Sequence, residues 1–209
     1  MLLAFDTSSA ACTVALFDAA GTVVGARDDI IGRGHAERLV PMIAEMMTTT
    51  TDGRADKILV GVGPGSFTGL RVAIAAAHGL AIGWGAELDG LSSLALLAAG
   101  AVPDGEVAAA VAGGHGELFV QQFNAGEPTS DVLNLSRAEA AHAIGAALVV
   151  GSGAQKLVDA RGWGEAREQW PSAANALKLP LALRSLPALP VYARAPDARV
   201  ADPQTMAAA

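Results

Sequence analysis

Two short stretches carry residues able to do chemistry. Asp6-Thr7-Ser8-Ser9 follows the apolar run Leu2 to Phe5, and a glycine-punctuated loop, Gly-Pro-Gly-Ser-Phe-Thr-Gly, spans 63–69. A carboxylate beside hydroxyls at a strand end either holds a magnesium-bound phosphate or closes the turn. A glycine loop between a strand and a helix presents amides suited to an anion. The standard phosphate loops nevertheless fail here. A Walker loop needs Gly-Lys-Ser/Thr, but no lysine lies between Gly63 and Gly69, and Arg71 comes too late. The dinucleotide fingerprint needs a third glycine where Ser66 or Thr68 stands, and a nucleophile elbow on Ser66 needs glycines where Pro64 and Thr68 stand. Two readings stay open: amide contact to a phosphate, or Ser66 or Thr68 capping the helix that follows.

The remaining candidates are dispersed. His35, His78, His115 and His142 include no pair at i, i+4 spacing, so the sequence predicts no metal site. Asp104, Glu106 and Glu117 fall near turns without forming an acid–base pair. The single Cys12 excludes an internal disulfide and reads as a small buried residue. A net charge of -7 gives no basic footprint, so any tRNA would be held with a more basic partner. With 52% hydrophobic and 17% charged residues in 209, the chain has ample apolar surface for a core. The opening "MLLAFDTSS" has no basic start or long apolar core, and no stretch reaches 18 uncharged, strongly apolar residues. The expectation is a soluble cytoplasmic protein with no signal peptide and no membrane contact.

The elements that position these residues follow from periodicity. Residues 2–30 alternate in short runs between turns, a three-stranded meander. "GHAERLVPMIAEMM" has helical spacing, with Leu39, Ile43 and Met46 or Met47 on one face and Pro41 either bending it or in its first turn. "KILVGVGP" reads as a buried parallel strand, Leu70 to Gly83 as a helix, "ELDGL" as a strand, and "SSLALLAAG" as a helix capped by Ser92 or Ser93. After Val102 to Gly105 the order returns: strands in "EVAAAVAG", "ELFVQQFN" and "DVLNLS", a helix in "RAEAAHAI", a strand in "ALVVGSG" and a helix in "AQKLVDARG". A further helix is expected within Ser172 to Leu186, and the tail "DPQTMAAA" is expected to fray. The chain thus reads as two βββαβα halves, 1–101 and 102–209, the second diverged and ending in a Pro-rich stretch. The helix from Leu70 is apolar almost all round, with Arg71 and His78 on one stripe, as for a helix covered on more than one side.

"LLAFDTSSAACTVAL", "GHAERLVPMI", "GVGPGSFTGLRVAIAAAHGLA" and "PVYARAPDA" together resemble the bacterial TsaB (YeaZ) family, in order and over nearly the whole chain. The resemblance implies an α/β, actin-like ATPase fold of the sugar kinase/Hsp70 type, built from two RNase H-like halves. It implies a role in placing threonylcarbamoyladenosine beside the tRNA anticodon, as a non-catalytic paralogue of the transferase TsaD. TsaD holds its metal through a His-x-x-x-His pair; here His35 is followed four residues on by Leu39. It implies a dimer surface with TsaD, or alone with a second copy, on the two helices bearing His35, Arg38, Leu39, Met42, Ile43 and Met46, and Arg71, Ile74, Ala75 and His78. The ATPase TsaE is expected to join the pair, and tRNA to be met only through the complex. No cofactor is expected to be tightly bound. ATP and magnesium are used by the complex rather than turned over by this chain, with Asp6, Ser8, Gly63, Gly65 and Ser66 as positions for weak nucleotide contact. Relatives read roughly Asp-Ala-Arg before a Gly-Glu in the second half, where this chain has Ala112, Gly113 and Gly114, a departure that puts that segment's charge pairing in doubt.

The alternatives are a small-molecule kinase or ATPase using Asp6 and the glycine loop, for which no second carboxylate or base is assignable, and a metallopeptidase, which lacks its histidine pair. On the docking reading, Ile43→Glu and Ala75→Glu are both expected to abolish partner binding while leaving the circular dichroism spectrum unchanged.

Overall fold

The computed structural model describes residues 1–48, 50, 53–101 and 105–191. Strands β1 (Leu2–Asp6), β2 (Ala11–Phe17) and β3 (Val23–Ile30) form the expected antiparallel meander. β4 (Lys57–Gly61) and β5 (Glu87–Leu91) extend it in parallel beyond β1, giving the order β3-β2-β1-β4-β5. The two-residue period of these strands divides their side chains between two cores. Leu3, Phe5, Val14, Ile58 and Val60 face one side, and Ala4, Ala15, Phe17 and Leu59 the other. Helices α1 (His35–Met47) and α2 (Phe67–Trp84) cover the first side, α1 contributing Leu39, Met42, Ile43 and Met47 at helical spacing. Helix α3 (Ser93–Ala99) lies on the other side, buried from Ser93 to Ala98.

The second half repeats the plan. β6 (Glu106–Ala112) pairs with β7 (Leu118–Asn124), and the short β8 (Glu127–Pro128) and β9 (Leu133–Leu135) both pair with β7. After α4 (Arg137–Ala143), α5 (Ala154–Arg161) connects the parallel strands β10 (Leu148–Val150) and β11 (Glu165–Arg167), with β10 beside β6. The order from the meander edge to the parallel edge is therefore the same in both sheets. Val107, Ala109, Val111 and Phe123 join α3 in a core shared by the two halves, while Ala108, Ala110, Leu118 and Val120 pack with Ala140 and Leu157 of α4 and α5. This duplication of an RNase H-like unit is the actin-like ATPase fold. The proposed division after residue 101 adjoins Val102–Asp104, which lie outside the described residues, as do the tail from Tyr192 and its "DPQTMAAA".

Local chemistry explains the differences from the sequence reading. α2 starts three residues before Leu70, because Ser66 is the cap, its hydroxyl accepting the Gly69 N–H at 3.2 Å, and it stops at Gly85, whose φ of 69° suits glycine. Ser92 caps α3 by accepting the Ala95 N–H, which leaves Ser93 free for another role. Between Ser172 and Leu186 no α-helix forms. Two 3-10 segments, Ala173–Lys178 and Leu181–Leu183, are parted by Pro180, which holds Leu179 extended at ψ 141°. This segment returns to the first half. The Ala173 N–H donates to Thr13 Oγ1 at 2.6 Å, Leu186 pairs with Gly90, and the Val191 N–H donates to the Val62 carbonyl at 2.8 Å. β11 went unforeseen because three residues carry no readable alternation; it exists by pairing with β10.

Pro41 lies in the middle of α1, not in its first turn, and is exposed. Its missing N–H leaves the Glu37 carbonyl without a helical donor. Pro41→Ala is expected to raise the free energy of unfolding by about 1–3 kcal/mol, measured as a higher urea midpoint at unchanged slope.

Candidate functional site

Asp6 ends β1 with a carboxylate that is wholly buried. Its neighbour across the parallel ladder is β4, and β5 lies one strand further; the register Phe5–Val60 and Gly61–Leu91 places Gly61 between Asp6 and the β5–α3 junction. Any β-carbon at Gly61 would overlap the Asp6 carboxylate. The absence of one lets the carboxylate pass over β4 and reach Ser93, whose hydroxyl donates to Asp6 Oδ2 at 2.5 Å. Ser8 donates to Oδ1 through both its N–H and its hydroxyl, each at 2.7 Å. Ser93 Oγ in turn accepts the Gly63 N–H at 3.1 Å.

The glycine loop is pressed onto the same turn. The Ser66 N–H donates to the Ser8 carbonyl at 2.6 Å, and Thr7 Oγ1 donates to the Gly69 carbonyl at 2.7 Å. A β-carbon at Gly65 would strike the Ser8 backbone, and one at Gly69 the Thr7 carbonyl. The loop thus lies against its own chain, its spaces filled by Asp6, Thr7 and Ser8. Burial raises the Asp6 pKa above the ordinary aspartate range, although the Ser93 and Ser8 hydrogen bonds and the nearby His35 favour the anion. The native state therefore keeps this proton to higher pH than the unfolded chain does. Its contribution to stability is full below the unfolded value and falls as pH rises through the native one.

The outward side of α2 is different in kind. Phe67, Arg71, Ala75, His78, Gly79, Ile82 and Gly83 are exposed, Ile82 by 84%. Nothing lies within 4 Å of a β-carbon built at Gly79 or Gly83. The Arg71 guanidinium stacks on the Phe67 ring at 3.6 Å. Between α1 and α2 runs a groove of about 370 Å³, lined by Val40, Ile43, Ala44, Met47, Leu80 and Trp84 among others. On the other flank His78 Nε2 donates to the Ala188 carbonyl at 3.2 Å, tying the returning segment to the helix. Among the described residues α2 is the one helix long and apolar enough to cross a membrane by length and composition; its buried side, Leu70, Ala73, Ile74 and Ala77, packs within the fold.

A family model for TsaD, the tRNA N6-adenosine threonylcarbamoyltransferase, matches residues 25–165. A Pseudomonas aeruginosa crystal structure, described as similar to the peptidase YEAZ, superposes with a TM-score of 0.77 at 30% identity over 92% of this chain and 99% of its own. The chain belongs to the TsaD family, in its TsaB (YeaZ) branch. A second structure, YeaZ from Pseudomonas aeruginosa, gives a TM-score of 0.75 at 28% identity over 91% and 99%. The tRNA threonylcarbamoyladenosine biosynthesis protein TsaB of Escherichia coli is 41% identical over 102 residues, 48% of this chain and 43% of that protein. Its Haemophilus influenzae counterpart is 39% identical over 100 residues, 46% and 41%. The chain thus matches about two-fifths of the length of these curated relatives.

Set in this TsaB-type frame, the residues named from the sequence separate into two groups. Arg71, Ala75 and His78 face outward, and Arg38 and Met46 are half-buried. Leu39, Met42, Ile43 and Ile74 lie in the chain's own core, so the expectation that Ile43→Glu spares the fold is corrected: with Ile43 only 2% exposed, a charge there enters the core. Leu39, four residues after His35, is fully buried, while His35 is buried with Nε2 unpartnered. Arg38 is held by Asp29 at 2.6 Å, and its proximity keeps the Asp29 carboxyl below the ordinary range. Asp6, Ser8, Gly63, Gly65 and Ser66 do come together: Ser8 is hydrogen-bonded to both Asp6 and Ser66, Gly63 joins them through Ser93, and Gly65 rests on the Ser8 backbone. The sequence reading missed Gly61, Gly69 and the role of Ser93, which become visible only once β4 is known to lie between β1 and β5. The Ala112–Gly113–Gly114 departure falls at the β6–β7 turn, where His115 adopts a φ of 56°.

Two sets of glycine variants are expected to diverge. Gly61→Ala and Gly69→Ala lower the unfolding free energy by more than about 2 kcal/mol, since a methyl meets fixed neighbours. Gly79→Ala raises it by about 0.8–1 kcal/mol, since open space surrounds a helical position. Urea unfolding of the three measures both. Burial also pushes the Cys12 thiol up to about 11, and the side chain is fully buried. The native protein is therefore expected to leave an aromatic disulfide reagent unconsumed at pH 8, releasing one equivalent of thiolate only after unfolding.

Proposed function

We propose that this chain is a non-catalytic subunit of tRNA threonylcarbamoyladenosine biosynthesis that docks on the catalytic paralogue TsaD and activates it. The outward face of α2 carries the reading: Ala75, Gly79, Ile82 and Gly83 form an exposed apolar surface low enough for another helix backbone to approach closely. A surface of this kind marks a protein contact rather than a solvated face. The groove toward α1 offers a socket for a partner side chain beside it. In the proposed complex TsaE joins the pair and hydrolyses ATP with magnesium, and tRNA is met through the complex, in keeping with a net charge of -7. A second copy of the chain covers the same face when TsaD is absent, and the assembly works in the cytoplasm.

Catalysis by this chain is disfavoured by the state of Asp6. A carboxylate that serves magnesium-ATP must meet solvent and metal, whereas this one is buried and fully engaged by Ser8 and Ser93. The proposal is tested by titrating the chain with purified TsaD. Wild type is expected to bind with micromolar or tighter affinity, and Ala75→Glu, whose fold is intact by circular dichroism, to lose at least about a hundredfold. Unchanged binding by Ala75→Glu contradicts the assigned face. Magnesium-dependent ATP turnover by the isolated chain near about 1 per second, within the range of working enzymes, supports the kinase reading instead.

A further inference from the structure

Beside the core packing of its middle, α2 is held at its N-terminal end by hydrogen bonds to the β1–β2 turn and to α3, and two of these lead to one buried group. The Ser66 N–H meets the Ser8 carbonyl, Thr7 Oγ1 meets the Gly69 carbonyl, and the Gly63 N–H meets Ser93 Oγ. Ser8 and Ser93 both donate to Asp6. The carboxylate therefore joins β1, the β1–β2 turn, α3 and the glycine loop in one hydrogen-bonded unit. Beyond Ala77 no residue of α2 is fully buried. The exposed Gly79, Ile82 and Gly83 lie on the outward side beyond a packed stretch that runs from Gly69 to Ala77 and is tied again where His78 meets the Ala188 carbonyl.

We infer that Asp6 is a positioning residue for the docking helix: through Ser8 and Ser93 it sets the pose in which α2 presents its outward face, an inference that rests on the docking reading above. At a rise of about 1.5 Å per residue, Ile82 lies about 20 Å along the helix from Gly69, so a shift of the glycine loop is carried along α2 to its outward face. Close-packed helix contacts do not tolerate such a shift without losing contact area. Asp6 and Thr7 are wholly buried, and Ser8 and Ser93 are 3% and 2% exposed, so none of the four touches a partner directly. Their influence on docking runs through the pose of α2 alone.

Asp6→Asn keeps the shape but places an amide donor against Ser93, whose oxygen already accepts the Gly63 N–H. Thr7→Val removes only the bond to Gly69 and keeps the volume. Leu157→Ala serves as the control, because Leu157 is equally buried but belongs to the outer core of the second half. Each full-length variant is titrated with TsaD, and amide exchange is followed at residues 63–70. Asp6→Asn and Thr7→Val are expected to speed exchange at Ser66 and Leu70 and to weaken TsaD binding about threefold to thirtyfold. Leu157→Ala is expected to lower the melting temperature with affinity within about twofold of wild type, as for independent sites. Wild-type affinity in Asp6→Asn overturns the inference, and so does an equal loss in Leu157→Ala. Should Asp6→Asn not fold, Ser93→Ala decides, because it removes the donor to Asp6 Oδ2 and the acceptor of the Gly63 N–H. A wild-type chain that does not bind TsaD overturns the docking reading itself; the exchange data then judge the anchorage separately, unchanged rates at 63–70 in both variants counting against it.

Discussion

A buried carboxylate that crosses a strand sets the terms for the first half of this protein. Asp6 reaches Ser93 only because Gly61, at the end of the intervening strand, has no side chain. An ionisable group removed from water is unfavourable unless donors surround it, and three are supplied within the same few residues of turn and helix start. The result is a junction between β1, β4, β5 and α3 at the carboxyl ends of the parallel strands, the place where α/β folds ordinarily receive a ligand. In this chain that place is filled by the chain itself.

The filled junction leaves its mark on the residues around it. Gly65 and Gly69 are required because the loop rests directly on the backbone of Thr7 and Ser8. Thr7 and Ser66, residue types that elsewhere contact phosphates, spend their side chains on the Gly69 carbonyl and N–H. Gly79 and Gly83, about three and four turns after Gly69 on the same helix, have open space around them and no such internal reason. One helix thus carries two sets of glycines with opposite physical meaning. The first accommodates the chain's own packing; the second, on the proposed reading, accommodates another molecule's.

Much of the fold was legible in the sequence, because the meander alternates with period two, the segment of β4 is a continuous apolar run, and Ser66 and Ser92 stand where helices start. The duplication was legible too, since the order of elements returns although the residues do not. The site was less so. In α1 a single apolar stripe, Leu39, Met42, Ile43 and Met47, packs on the chain's own sheet, so Leu39, Met42 and Ile43, which the resemblance assigned to the dimer surface, are core. In α2 both faces are apolar, and spacing alone could not say that Ile74 turns inward while Ala75 turns outward. The Asp6–Ser93 bond joins residues 87 apart in sequence, and no local pattern announces a contact that depends on strand order. The region from Ser172 misled for a simpler reason: helical composition was outweighed by Pro180 and by pairing with the first half.

The central claim is that this chain supplies no chemistry of its own and that the modification nevertheless depends on it. The most direct measurement is reconstitution of tRNA modification from TsaD, TsaE, an adenylate-forming enzyme, threonine, bicarbonate, ATP and unmodified tRNA, with and without this chain, scored by mass spectrometry of the nucleosides. Threonylcarbamoyladenosine formed only when the chain is present, by a chain that alone hydrolyses no ATP, is the predicted result. Equal modification in its absence would contradict the account.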